Sequence, residues 1–232
     1  MATGGNDEKD LLIGWDTSTL RGTLAAGRGG GLLSESYFRT EKGHTGRLMR
    51  HLDSVLKSLG ATPSRVFAVA VGVGPGNFTG VKVGVATAKA IAFALQVPLV
   101  GISTLDIIAA STPADSGTIL ATVDARRGLL YCAVFRRDQS GMRRVTEYDC
   151  LPPAEAVAAA STFTEASLFV VGEETEGLDA ALASTGLEFR YGGDPFPAGR
   201  ELLALANDAL SGGDREVGRA ESVRPIYLKK PT

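Results

Sequence analysis

Gly74-Pro75-Gly76-Asn77-Phe78-Thr79-Gly80-Val81-Lys82-Val83-Gly84 joins an apolar run, Val66 to Val73, to a helix-forming segment that continues to Leu95. The run before it is short and valine-rich, the pattern of a buried strand. Thr79 is placed to cap the helix that follows. A glycine-rich loop between a strand and a helix can seat an anion on its backbone N–H groups. The specific phosphate fingerprints are missing, however. There is no GxxxxGK[ST] string, and a GxGxxG counted from Gly72 meets Asn77 where its last glycine should stand. By itself the loop therefore reads equally as a tight structural turn or as an anion site.

The helix beyond the loop is apolar over most of its circumference. Gly80, Gly84, Ala88 and Ala92 recur every four residues as a ridge of tiny side chains, and Val81, Val85, Ile91, Ala94 and Leu95 widen the apolar surface. Clearly polar positions are confined to Lys82, Thr87, Lys89 and Gln96. A surface helix needs a single apolar stripe, so a second apolar face calls for a second neighbour. Either another helix of the same chain covers the ridge, or the ridge lets a partner's backbone approach closely. Upstream, a helix over Thr45 to Leu59 carries a stripe of Leu48, Leu52, Val55 and Leu59, with Arg47, Arg50, Asp53, Ser54 and Lys57 opposite. On the partner reading, Leu48, Leu52, Gly80, Val81, Gly84, Ala88 and Ala92 form the interface. Gly84→Leu or Ala88→Trp would then abolish docking and leave the fold intact.

Further out, Leu11 to Trp15 reads as a buried strand ending in the polar turn Asp16-Thr17-Ser18-Thr19, with strands at Thr23 to Ala26 and Leu32 to Phe38 completing a meander. Val97 to Ile102 is the next strand. Ser103 caps a helix with Asp106 three residues on, an acidic capping box. The order is β-β-β-α-β-α-β-α, and after the Ser111 to Gly117 stretch it restarts. Strands are expected at Thr118 to Asp124, Leu129 to Arg136, Arg143 to Tyr148 and Leu168 to Gly172. Helices are expected after Pro152-Pro153, around Leu178 to Ser184 and over Gly199 to Leu210. This predicts a duplicated α/β fold. One lobe takes residues 1–110 and is completed by 199–232, and the other takes 111–198.

The inventory for catalysis is thin. His44 and His51 lie seven apart rather than in an i, i+4 pair, there is no GxSxG elbow, and Cys132 and Cys150 lack CxxC spacing. No catalytic residue, metal ligand or cofactor is assigned. Asp106 reads as a cap and Asp124 as a strand-end turn. Asp16 reads as a hydrogen-bonded turn or, as in lobed phosphotransferases, as a metal–phosphate ligand. Asp16, Thr17, Gly74 and Gly76 are thus a candidate vestigial nucleotide site. With 232 residues, 44% hydrophobic, 22% charged and a formal net charge of −2, the chain has no basic excess for gripping nucleic acid alone. Its basic residues fall in scattered pairs, among them Arg126-Arg127, Arg136-Arg137, Arg143-Arg144 and Lys229-Lys230. The polar Met1 to Asp10 start, the absence of an apolar run of about 18 residues and reduced cysteines lead to the expectation of a cytoplasmic protein without a membrane partner.

Together these segments resemble the TsaB (YeaZ) family. Ile13-Gly14-Trp15-Asp16-Thr17-Ser18-Thr19 is similar to its opening strand and DTST turn, and Gly74 to Gly84 to its GPGSFTGVRIG signature. Ala88-Lys89-Ala90 and Pro98 to Ser103 continue the match. Asp124-Ala125-Arg126-Arg127-Gly128 with Tyr131 resembles its DARRGEVY segment, and Pro225-Ile226-Tyr227-Leu228-Lys229 its PxYLR tail. Asn77, Lys82, Leu129-Leu130 and Lys229 depart from the pattern, and about Cys150 to Ser222 carries no signature. The resemblance implies a two-lobed actin/Hsp70/sugar-kinase-like fold of ribonuclease-H-like units. It also implies a role in threonylcarbamoyladenosine modification of tRNA. There the chain would be the non-catalytic partner that binds and activates the TsaD paralogue as a heterodimer. The TsaE ATPase would join a larger complex, and tRNA would be met only through that complex. A homodimer is the assembly implied for the chain alone. The paralogue's metal-binding histidine pair would fall on Thr104 and Ile108. The rival reading is an independent nucleotide-dependent enzyme of the same fold, with Asp16 and the Gly74 loop at the phosphates.

Overall fold

The computed structural model describes residues 9–39, 44–164, 167–212, 217–218 and 220–228. The polar start through residue 8, and Lys229 and Lys230, lie outside the described residues.

The first half runs β1 (Leu11–Asp16), β2 (Arg21–Arg28), β3 (Gly31–Arg39), α1 (His44–Ser58), β4 (Val66–Gly72), α2 (Phe78–Leu95), β5 (Leu99–Ile102) and α3 (Thr104–Ala110). The second half repeats the order. It runs β6 (Gly117–Arg126), β7 (Leu129–Asp138), β8 (Gly141–Arg144), a short β9 (Asp149–Leu151), α4 (Pro153–Ser161), β10 (Ser167–Gly172), α5 (Leu178–Ser184), β11 (Glu188–Tyr191) and α6 (Gly199–Leu210), and β12 (Val217–Gly218) closes the chain. The sheets have matching topologies, β12-β5-β4-β1-β2-β3 and β11-β10-β6-β7-β8. In each, the first strand sits between an antiparallel hairpin partner and a parallel crossover strand. Burial on both faces explains why β1, buried at every position, reads as a continuous apolar run rather than an alternating one.

The last helix of each half covers the other half's sheet. Leu105, Ile108 and Ala109 of α3 pack with Ile119, Ala121 and Phe135 of the second sheet. Leu202, Leu203 and Ala206 of α6 pack with Leu12, Ala68 and Val100 of the first. The layers are thus α1/α2, first sheet, α6 and α3 together, second sheet, α4/α5. The boundary at residue 110 falls at the end of α3, whose Ile107 packs in the first sheet's core while Leu105, Ile108 and Ala109 face the second.

Several local readings change. Asn77, not Thr79, caps α2, its side chain accepting from the Gly80 N–H at 2.9 Å. The Ser103–Asp106 capping box does not form. Ser103 makes no side-chain cap bond, and Asp106 Oδ1 accepts instead from the Tyr148 hydroxyl at 2.7 Å. Of the strand expected at Arg143 to Tyr148 only Arg143 and Arg144 are extended, as the end of β8, and β9 begins beyond it at Asp149; the short edge strands β11 and β12 carry too few residues for an apolar pattern to show. At 18 residues and mean hydropathy 1.4, α2 is long and apolar enough to span a bilayer by length and composition. One face of it, Gly80, Val81, Gly84, Val85, Ala88 and Ala92, is buried within the chain, as in a core helix, while Ala86, Ala90, Phe93 and Ala94 are exposed.

Candidate functional site

Trp15, Asp16, Thr17 and Ser18 lead off the C-terminal end of β1, where a strand of an open α/β sheet delivers its side chains to a ligand crevice. Here every one of them is spent on the chain itself. The Trp15 indole N–H donates to the Gly84 carbonyl at 3.1 Å, and the Thr17 hydroxyl to the Gly80 carbonyl at 2.7 Å. The Asn77 N–H donates to the Ser18 carbonyl at 2.6 Å, and the Thr104 N–H to the Gly74 carbonyl at 2.9 Å. The Gly74 loop, whose Gly74-Pro75 bond is cis, is thereby tied to β1 on one side and α3 on the other.

Asp16 is fully buried. Its Oδ1 accepts from the Ser18 N–H at 2.7 Å and from the Ser18 hydroxyl, and its Oδ2 from the Thr104 hydroxyl at 2.7 Å. The Ser18 and Thr104 hydroxyls also stand 2.7 Å apart. With Asp16 ionised, both hydroxyl protons are spent on the carboxylate and that last contact has none. A neutral carboxyl supplies the third proton and closes the ring. Burial raises the Asp16 pKa, against the lowering effect of the Ser18 and Thr104 hydrogen bonds. A carboxyl enclosed in this way has no face left for a metal or phosphate.

The sequence-proposed interface is also inside the chain. Leu48, Leu52, Gly80, Val81, Gly84, Ala88 and Ala92 are all buried, and the five with apolar side chains larger than hydrogen belong to one core with Trp15 and Val69. A β-carbon on Gly80 would stand 1.9 Å from the Thr17 carbonyl oxygen, and one on Gly84 2.4 Å from Thr17 Oγ1. These glycines exist so that α2 can lie against the end of β1. The outward face of α2 lies two residues further on. Lys82, Ala86, Ala90 and Ala94 recur every four residues and are exposed, with Phe93 beside them 67% exposed. The sequence thus holds two series of mostly small residues, and Lys82 is the one member that marks an outward face.

A second feature was only partly signalled. A cleft of 310 Å³ opens between the lobes, lined by Ser18, Leu20, Phe78, Asp124, Arg126, Tyr131 and Glu173 among others. Asp124, Arg126 and Tyr131 belong to the segment that drew the family resemblance, whereas Leu20 and Glu173 went unremarked. Arg126 pairs with Asp124 at 3.2 Å. Glu173 accepts from the Asp124 N–H at 3.0 Å, and burial pushes its carboxyl pKa up. The cleft floor thus carries two carboxylates and one neutralised guanidinium, a poor complement for a polyphosphate. Among the described residues no group of three or more His, Cys, Asp or Glu is placed to hold a metal ion. His51 stacks on Phe38 with centroids 4.9 Å apart.

Two copies of one β-β-β-α-β-α-β-α unit around a cleft, with exchanged last helices, define a two-lobed fold of the actin/Hsp70/sugar-kinase type. The ROK hexokinase of Thermus thermophilus shares that fold at TM-score 0.52 and 12% identity, over 87% of this chain and all of its own. Residues 32–194 match the family model described as TsaD, tRNA N6-adenosine threonylcarbamoyltransferase. The tRNA threonylcarbamoyladenosine biosynthesis protein TsaB of Escherichia coli strain K12 is 29% identical over 188 residues, 80% of each chain. YeaZ of Pseudomonas aeruginosa superposes at TM-score 0.79 with 29% identity, over 94% of this chain and 100% of its own. The chain belongs to the TsaB (YeaZ) family within that group.

Proposed function

We propose that this chain works in tRNA threonylcarbamoyladenosine biosynthesis as the non-catalytic partner that docks on and activates the TsaD paralogue in the cytoplasm. The observation that carries the reading is the enclosure of Asp16. Where a phosphotransferase of this fold keeps an open carboxylate, Ser18 and Thr104 close it off. Thr104 and Ile108, at the positions expected for the paralogue's histidines, are fully buried and offer no metal site.

The docking surface on this reading is the outer face of α2, with the Ala86-Ala90-Ala94 ridge, Phe93 and the exposed Met49 of α1. Alanines every four residues allow another helix to approach at short interaxial distance, and Phe93 supplies an aromatic anchor. TsaE would join the pair, tRNA would meet the assembled complex, and a second copy could occupy the same face when TsaD is absent.

The test is co-elution with the TsaD paralogue on size exclusion, with the tRNA-modifying activity of each fraction assayed. Activity only in fractions holding both chains supports the reading. Ala86→Leu should abolish co-elution while leaving the melting temperature unchanged, since exposed substitutions shift stability by no more than about 0.5 kcal/mol. The interlobe cleft gives the independent-enzyme reading its one support. ATP turnover by the purified chain alone, with no association with TsaD, would put that reading in its place.

A further inference from the structure

Two crossovers connect the lobes, residues 111–116 between α3 and β6 and residues 192–198 between β11 and α6. Proteins that open and close around a cleft bend at such segments. Here both are tied down by a continuous line of polar contacts. Arg137 of β7 donates from Nη1 to the carbonyls of Thr112 and Ala114 (3.0 Å), and from Nη2 to those of Ala109 (3.3 Å) and Ala110 (3.1 Å). A planar cationic fork suits the carbonyls at the end of α3, where the helix dipole also favours positive charge. Ser111 joins the first crossover to the second. Its hydroxyl accepts from the Asp194 N–H at 3.1 Å and lies 3.3 Å from the Asp194 carbonyl.

The second crossover is then tied to the first sheet. Arg21 of β2 pairs with the Asp194 carboxylate, its guanidinium lying 4.3 Å from the Tyr37 ring centroid and 4.9 Å from that of Phe196. There is no slack where the crossovers meet. Gly193 has φ +85°, and a β-carbon there would stand 2.7 Å from Ser111 Oγ and 2.9 Å from Val171 Cγ2.

We propose that Arg137, Ser111, Asp194 and Arg21 form a clamp across the hinge that holds the lobes at one fixed angle, so that the chain is a rigid block and not a nucleotide-driven clamshell. Opening would strip a half-buried guanidinium of its carbonyls and part Arg21 from Asp194, leaving charged groups without partners. The inference concerns the isolated chain and is independent of its partner role.

The test is a pair of spin labels, at Ser54→Cys on α1 and Ala180→Cys on α5, read by pulsed electron spin resonance. Both sites are exposed, whereas Cys132 and Cys150 are buried. The clamp predicts one narrow distance distribution that magnesium-ATP leaves unchanged, and at least a doubling of its width in Arg137→Met and in Arg21→Leu. Should Arg137→Met fail to fold, Arg21→Leu decides, because that ion pair is partly exposed at the surface. A broad or ATP-responsive distribution in the unmodified hinge overturns the proposal, as does an unchanged width in a folded Arg21→Leu variant.

Discussion

Gly80→Ala puts the packing of α2 on β1 to a direct test. The added methyl carbon would stand 1.9 Å from the Thr17 carbonyl oxygen, where ordinary contact begins at 3.4 Å, so α2 or the turn must yield by about 1.5 Å. The obstacle is backbone, and it is held. Asp16 is sealed by Ser18 and Thr104, and the Thr17 hydroxyl binds the carbonyl of Gly80 itself. Overpacking of a tight core costs about 1–3 kcal/mol, and a displaced Thr17–Gly80 hydrogen bond adds about 1 kcal/mol. Alanine's better helix propensity returns at most about 1 kcal/mol. The expected net loss is roughly 1–4 kcal/mol, or a melting temperature lower by roughly 2–16 °C for a chain of this size. Urea unfolding followed by circular dichroism measures it. A variant as stable as the parent would show that α2 does not lie against the Thr17 backbone, and the assignment of the Gly80–Ala92 ridge to the core would fall with it.

Three further outcomes are expected. Because burial raises the folded-state pKa of Asp16, its contribution to stability is fully present below the unfolded value near 3.8 and is lost as pH rises through the raised one. The stability of the parent minus that of Asp16→Asn should therefore fall as pH rises above about 4, and a flat or rising difference in paired urea titrations would contradict the buried-carboxyl geometry. Thr104→Val removes the donor to Asp16 Oδ2 and should cost about 1–3 kcal/mol in the same assay at pH 7. A cost below about 0.5 kcal/mol would mean the ring of three hydrogen bonds is not closed. The Cys132 thiol, pushed up to about 12 chiefly by burial, should react with a thiol reagent at pH 8 only as fast as the chain opens. Modification at a rate independent of added urea would place that thiol at the surface.

Much of the architecture is legible in the amino-acid order. Leu11 to Trp15, Val66 to Val73 and Leu168 to Gly172 are apolar runs too short for helices and bounded by turn residues, and each is a strand in a two-sided sheet. The same alternation of a meander with helix-flanked strands, met twice, discloses the duplication even though the halves share no visible sequence. The poverty of histidine, the wrong spacing of the cysteines and the failed phosphate fingerprints likewise need no coordinates.

Three matters were settled by tertiary structure alone. A helix with a 3.6-residue period carries Gly80-Gly84-Ala88-Ala92 and Lys82-Ala86-Ala90-Ala94 on different faces. Apart from Lys82 both are built of small residues, and it is the position of Thr17 against Gly80 and Gly84 that shows the first to be core and the second surface. Asp16 could be an open ligand or a closed turn, and the answer comes from Thr104, 88 residues away in sequence. The exchange of α3 and α6 between the sheets is a matter of which apolar face meets which. Local pattern fixes that a helix must bury a stripe, but the partner that covers it is chosen by the whole chain at once.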